Sequence, residues 1–110
     1  MTNVDPTQKM DEKIQEKKLK QDQLNFAIND YISLKLQYTQ KSNELLLNTD
    51  FKELKLTNEK MRNAFIEENL STLKMELEIS KANVASIKRD IDVINDEIKL
   101  YELLHVRLYE

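Results

Sequence analysis

The 110-residue chain contains no glycine, no cysteine and no tryptophan, and its single proline stands at position 6. Average usage would put glycine at about 7%, so residues 7–110 lack both common chain punctuators. That excludes glycine hairpins, Gly-rich phosphate loops and an ordinary mixed sheet. Without cysteine there is no disulfide, no thiolate catalysis and no zinc–thiolate site. No apolar run approaches the ~18 residues of a membrane span. The opening Met1-Thr2-Asn3-Val4-Asp5 has neither the basic stretch nor the apolar core of a secretory signal. A dominant charge sign is missing too: 17 basic and 20 acidic residues leave a net charge of −3. A nucleic-acid binder carries a basic excess or stripe, and a nucleic-acid mimic would need a strongly acidic one. These absences point to a cytoplasmic chain with no membrane association and argue against direct nucleic-acid binding.

What is present is helical. Hydrophobic residues at 40% and charged ones at 34% make the chain too apolar to stay disordered. Asp5 suits an N-cap, Pro6 the first helical position, and Gln8 the partner position of a capping box. Residues 1–5 are expected to fray. From Pro6 helix-compatible residues continue to Leu47, polar at first and then apolar at Leu24, Ala27, Ile28, Tyr31, Leu34 and Tyr38, spaced by three and four. Asn48-Thr49-Asp50 interrupts this run. Thr49 is the expected cap of a short turn segment, and Thr57 or Asn58 the cap of a last helix with Glu59 in its first turn. A chain without glycine has to turn on Asx and Ser/Thr caps.

The last helix carries a 3-4 repeat. Its a series reads Leu70, Leu77, Val84, Ile91, Ile98 and His105; its d series reads Ile66, Leu73, Ser80, Ile87, Ile94, Tyr101 and Leu108. Lys74, Lys81 and Lys88 fall at e, and Glu76, Asp90 and Glu97 at g. Apolar a/d rows flanked by charged e/g rows define a coiled coil, with Leu70, Leu73, Leu77, Val84, Ile87, Ile91 and Ile94 as its expected core. The fold class is therefore all-α: one long antiparallel helical hairpin over residues 1–110, with a short turn or helical segment near residues 48–57.

A fold-back centred near residue 52 sets Tyr38 against Ile66, Tyr31 against Leu73 and Leu24 against Ser80. Residues 98–110 then overhang the start of the first helix. An uncovered apolar patch marks an interaction surface. Ile98, Tyr101, Leu104, His105 and Leu108 are thus the expected interface, covered by a second copy in a dimer or higher homo-oligomer, or by another protein; the remaining alternative is a different register in which the two helices cover each other fully.

No constellation supports chemistry. His105 is the only histidine, and one imidazole cannot serve as both base and orienter. Glu102-Leu103-Leu104-His105 occurs once, whereas di-metal bundles need a Glu-x-x-His on each of two helices. The chain is expected to be no enzyme and to hold no cofactor and no metal. Lys17, Lys18 and Lys20 could touch phosphates, but Asp11, Glu12, Glu16 and Asp22 lie close by and make this a solvated i,i+4 face. Phe26, Tyr31, Tyr38 and Phe65 could stack on bases, yet their helical spacing fits core packing better.

The segment Thr49-Asp50-Phe51-Lys52-Glu53-Leu54-Lys55-Leu56-Thr57-Asn58-Glu59-Lys60-Met61-Arg62-Asn63-Ala64-Phe65-Ile66 resembles small helical coiled-coil proteins encoded by phages and prophages of low-GC bacteria. In those proteins a polar helix leads into a Thr-Asp-aromatic turn, then Thr-Asn-Glu-Lys-x-Arg-x-Ala-aromatic, then a long charged helix. The resemblance covers roughly residues 40–100 and carries over no catalytic residue. It implies an early accessory protein in the host cytoplasm that binds and inhibits or redirects a host defence or nucleic-acid-processing protein. The alternatives are a structural scaffold or assembly chaperone, or an accessory factor in phage recombination or replication. The secreted Trp-x-Gly hairpin family has similar length, but this chain has neither residue of that turn, and four residues after Tyr101 stands His105 where that family has a carboxylate.

Overall fold

The computed structural model describes residues 5–109, which form three helices and, among the described residues, no strand. Helix α1 runs Pro6–Asn48, α2 Glu59–Asn69 and α3 Ser71–Tyr109. The fold is all-α, built on the helical hairpin that the composition and heptads require. Residues 1–4 of the segment expected to fray lie outside the described residues. Asp5 itself is ordered as a cap: its Oδ1 accepts from the backbone N–H of Thr7 at 3.0 Å and of Gln8 at 3.4 Å.

The chain divides into two compact units. The first joins residues up to Ile28 with residues from Asn83 onward. Here α1 and α3 run antiparallel, since Lys13 pairs with Glu97 and Lys20 with Asp90. Ile94 at 3% exposure, Ala27 and Ile87 are buried in this unit. Met10, Lys17 and Leu24, seven residues apart on α1, are all half-buried along the seam. A lysine occupies this row because its four-carbon stem covers apolar surface while the ammonium reaches water.

The second unit spans Asn29–Ala82. On α1 its seam is Tyr31, Tyr38 and Leu45, each half-buried, and its one buried apolar side chain is Ile66 of α2. Ser80, a d residue, is 7% exposed and donates to Asp30 Oδ2 at 3.5 Å. Asp30 therefore stands where a fold-back at residue 52 places Leu24. The midpoint between the paired residues is 55, because the turn extends further along the chain than its sequence suggests.

That turn differs from expectation in two places. Asp50, not Thr49, caps the segment, its Oδ1 accepting from Glu53 N–H at 3.0 Å. Lys55 then adopts φ 60°, while Leu56 N–H donates to Phe51 O at 2.8 Å and Lys55 N–H to Lys52 O at 3.2 Å. These two bonds and the left-handed residue make a Schellman closure, with lysine where glycine is usual. Phe51 meets Phe65 edge to face, with ring centroids 5.9 Å apart, which pins the turn onto α2. Of the two candidate caps for α2, Asn58 is used: its Oδ1 accepts from Met61 N–H at 2.8 Å.

The last helix is not continuous. Leu70 separates α2 from α3 with φ −107° and ψ 20°. One residue earlier, Asn69 turns its side-chain amide back to donate to Phe65 O at 2.8 Å. This competes for a carbonyl that belongs to the helical ladder and bends the helix there. Leu70 N–H still reaches Ile66 O and Lys74 N–H reaches Leu70 O, so the interruption is a distortion, not a turn.

Candidate interaction surface

The heptad rows of α3 take graded burial. Ser80, Ile87 and Ile94 of the d row are buried, as is Ile66 on α2, while Leu73 and Tyr101 are half-buried. In the a row Leu70, Leu77, Val84, Ile91, Ile98 and His105 are all half-buried. One partner helix covers one side of such a stripe, so the row on its axis is buried and the next stays partly wet. Among the described residues no large side chain is completely buried.

The expected C-terminal overhang changes with the register. Thr7 Oγ1 lies 3.2 Å from His105 Nδ1, so the first turn of α1 reaches this far along α3. Ile98, Tyr101, Leu104 and His105 are half-buried, and Leu108 alone of the five expected interface residues is exposed. The premise that residues 98–105 lack a covering helix therefore fails.

Lys17, Lys18 and Lys20 are also not a uniform solvated face. Lys17 and Lys20 are half-buried, and Lys20 Nζ bonds Asp90 Oδ2 at 3.2 Å on α3. Lys13 Nζ lies 2.7 Å from Glu97 Oε2 and 3.1 Å from Glu16 Oε2. Those two hydrogen bonds, that with Glu97 first, raise the Lys13 pKa above its ordinary 10.5. The g-row carboxylates Asp90 and Glu97 thus receive their partners from α1, as coiled-coil flanks do. Lys74 of the e row instead meets Glu67 of α2, at 3.4 Å.

The aromatic residues separate by location. Tyr31, Tyr38, Phe51 and Phe65 pack in the second unit, half-buried. Phe26 does not pack in a core as its spacing suggests; it is 79% exposed. It borders an open hollow in the first unit, lined also by Lys20, Gln23, Ser86, Ile87 and Asp90. Leu19, Val93, Leu100 and Leu103 are exposed in the same unit, and Ile32, Leu36, Leu47, Met75 and Ile79 in the other. Isolated exposed apolar side chains need no explanation; this density on so small a chain does.

Among the described residues no group of three or more His, Asp or Glu side chains is placed to hold a metal ion. No helix there is long and apolar enough to cross a membrane. What the geometry defines is an all-α coiled-coil hairpin with apolar outer surfaces. No protein-family model, curated protein or solved structure matches the chain.

Proposed function

We propose that the chain is a non-enzymatic protein-binding module that works through the outer faces of its hairpin. The observation that carries this reading is the ratio of covered to uncovered apolar surface. Among the described residues, Ala27, Ile66, Ile87 and Ile94 are the buried hydrophobic side chains, whereas fifteen large hydrophobic ones are exposed. A partner that covers them gains roughly 25 cal/mol per Å² of apolar surface removed from water. The partners are a second copy of the chain and a host protein. The phage origin, the host-cytoplasmic location and the inhibition or redirection of a defence or nucleic-acid-processing protein rest on the sequence resemblance around residues 49–66. The scaffold alternative draws support from the coiled-coil spacing of α3, a geometry that other helices can join.

Affinity capture from infected host cells, followed by titration of the chain against the purified partner, tests this. A stoichiometric host enzyme whose activity falls at equimolar chain supports the inhibitor reading. A virion component supports the scaffold. Recovery of the chain alone, with host enzyme activities unchanged, overturns the host-target reading.

A further inference from the structure

Helix α3 carries a second 3-4 row besides the one packed on α1. Ser86, Arg89, Val93, Asp96, Leu100 and Leu103 follow at steps of three and four, and all are exposed. They occupy the c and f positions, on the side of the helix away from the packed a and d rows. Two features say what fits this row. First, Arg89 and Asp96 are seven residues apart, so they lie one above the other on the same face. Among the described residues neither makes an ion pair within its own chain, unlike Asp90 and Glu97 one position further along. Second, the row grades from small to large, from Ser86 through Val93 to Leu100.

We propose that this face of α3 is the seam of an antiparallel homodimer, paired with α3 of a second copy about a centre beside Val93. The alignment sets each Arg89 against the other chain's Asp96, two pairs related by the dyad. It brings the two Val93 side chains together and seats each large Leu100 over the other chain's small Ser86. A parallel arrangement would stack Arg89 on Arg89 and Asp96 on Asp96, so the charges select the antiparallel one. The outer row of α1 in this unit, Gln15, Leu19, Asp22 and Phe26, has a carboxylate and no cation, so no charge pair of this kind forms within that row. The inference deepens the self-association reading and is independent of any host target.

Light scattering on the full chain, with helicity followed by circular dichroism, provides the test. The parent is expected at twice 13.1 kDa at micromolar concentration. Arg89→Asp alone and Asp96→Arg alone each oppose like charges twice, and should raise the dissociation constant roughly tenfold or more. An equimolar mixture of the two variants restores both pairs and should return the parent mass. If a single variant loses helicity as well as mass, the mixture still decides, because only the proposed pairing regains both. A parent that stays at 13.1 kDa overturns self-association altogether. A dimer indifferent to both reversals, or one that Phe26→Ser dissociates while the reversals do not, overturns the α3 seam and leaves self-association standing.

Discussion

Lys13 Nζ sits 2.7 Å from Glu97 Oε2 and so ties the polar half of α1 to the coiled-coil half of α3. Its second partner, Glu16, holds the ammonium from one turn along the same helix. A lysine pKa raised in the folded state means that folding favours the protonated form. The stabilisation is complete below 10.5, the ordinary value, and disappears as pH climbs through the higher folded value. Lys13→Met keeps most of the stem and deletes the charge. The variant should therefore show a shallower loss of stability than the parent above pH 10.5, measured by urea denaturation across an alkaline series. Identical alkaline slopes would mean that the contact contributes nothing in solution.

Ile87 and its neighbour Lys88 separate the inside of the hairpin from the outside. Ile87 is buried on the d row and Lys88 is exposed. Ile87→Asp buries an unpaired carboxylate and should cost several kcal/mol, enough to unfold the chain. Lys88→Asp should cost roughly 1 kcal/mol or less. Thermal melts of the two variants check the heptad frame, and comparable losses would show that it is misplaced.

Lys55 holds the left-handed conformation that closes the turn, with φ 60°. That conformation costs an L-residue about 1–2 kcal/mol and glycine almost nothing. Lys55→Gly should raise stability by up to about 1 kcal/mol after the extra entropy of unfolded glycine is offset. Lys55→Val should lower it, because a β-branched side chain is least tolerated there. Chemical denaturation midpoints of the pair should move in opposite directions.

Asn58 is the remaining cap with a single clear role. Removing its Oδ1 acceptor leaves Met61 N–H without that partner, and Asn58→Ala should cost about 1 kcal/mol. Thr57→Ala should cost less, since Thr57 is exposed and lies outside α2. Equal losses would assign the cap to both residues.

The sequence disclosed the helical class because helix periodicity needs only local residues. Asp5 with Pro6, the interruption after Asn48 and the d row at Ile87 and Ile94 were all legible this way. The pairing register was not, because it depends on how many residues the turn consumes. Nothing in Asp50–Leu56 advertises a left-handed lysine, so the fold-back shifts from residue 52 to 55 and Ser80 meets Asp30 instead of Leu24. The kink at Leu70 was hidden for a similar reason: Asn69 is an acceptable helix residue until its amide competes for a carbonyl. The candidate site moved with the register. A fold-back at residue 52 leaves Tyr101, Leu104 and His105 uncovered, whereas the observed register brings the first turn of α1 to them; the row from Ser86 to Leu103 is masked by its interspersed charges.

The Phe51–Phe65 contact has a kinetic consequence. These rings are joined by only a short stretch of chain, so their meeting closes a small loop at little entropic cost. The Thr7–His105 contact, by contrast, links residues at opposite ends of the sequence. Assembly that begins at the aromatic pair can add successive pairs along the seam, each closing only a few more residues than the last. Assembly that begins at the termini must first close nearly the entire chain. The turn is thus the natural nucleus, and destabilising substitutions there should slow refolding, whereas those near Thr7 should chiefly hasten unfolding.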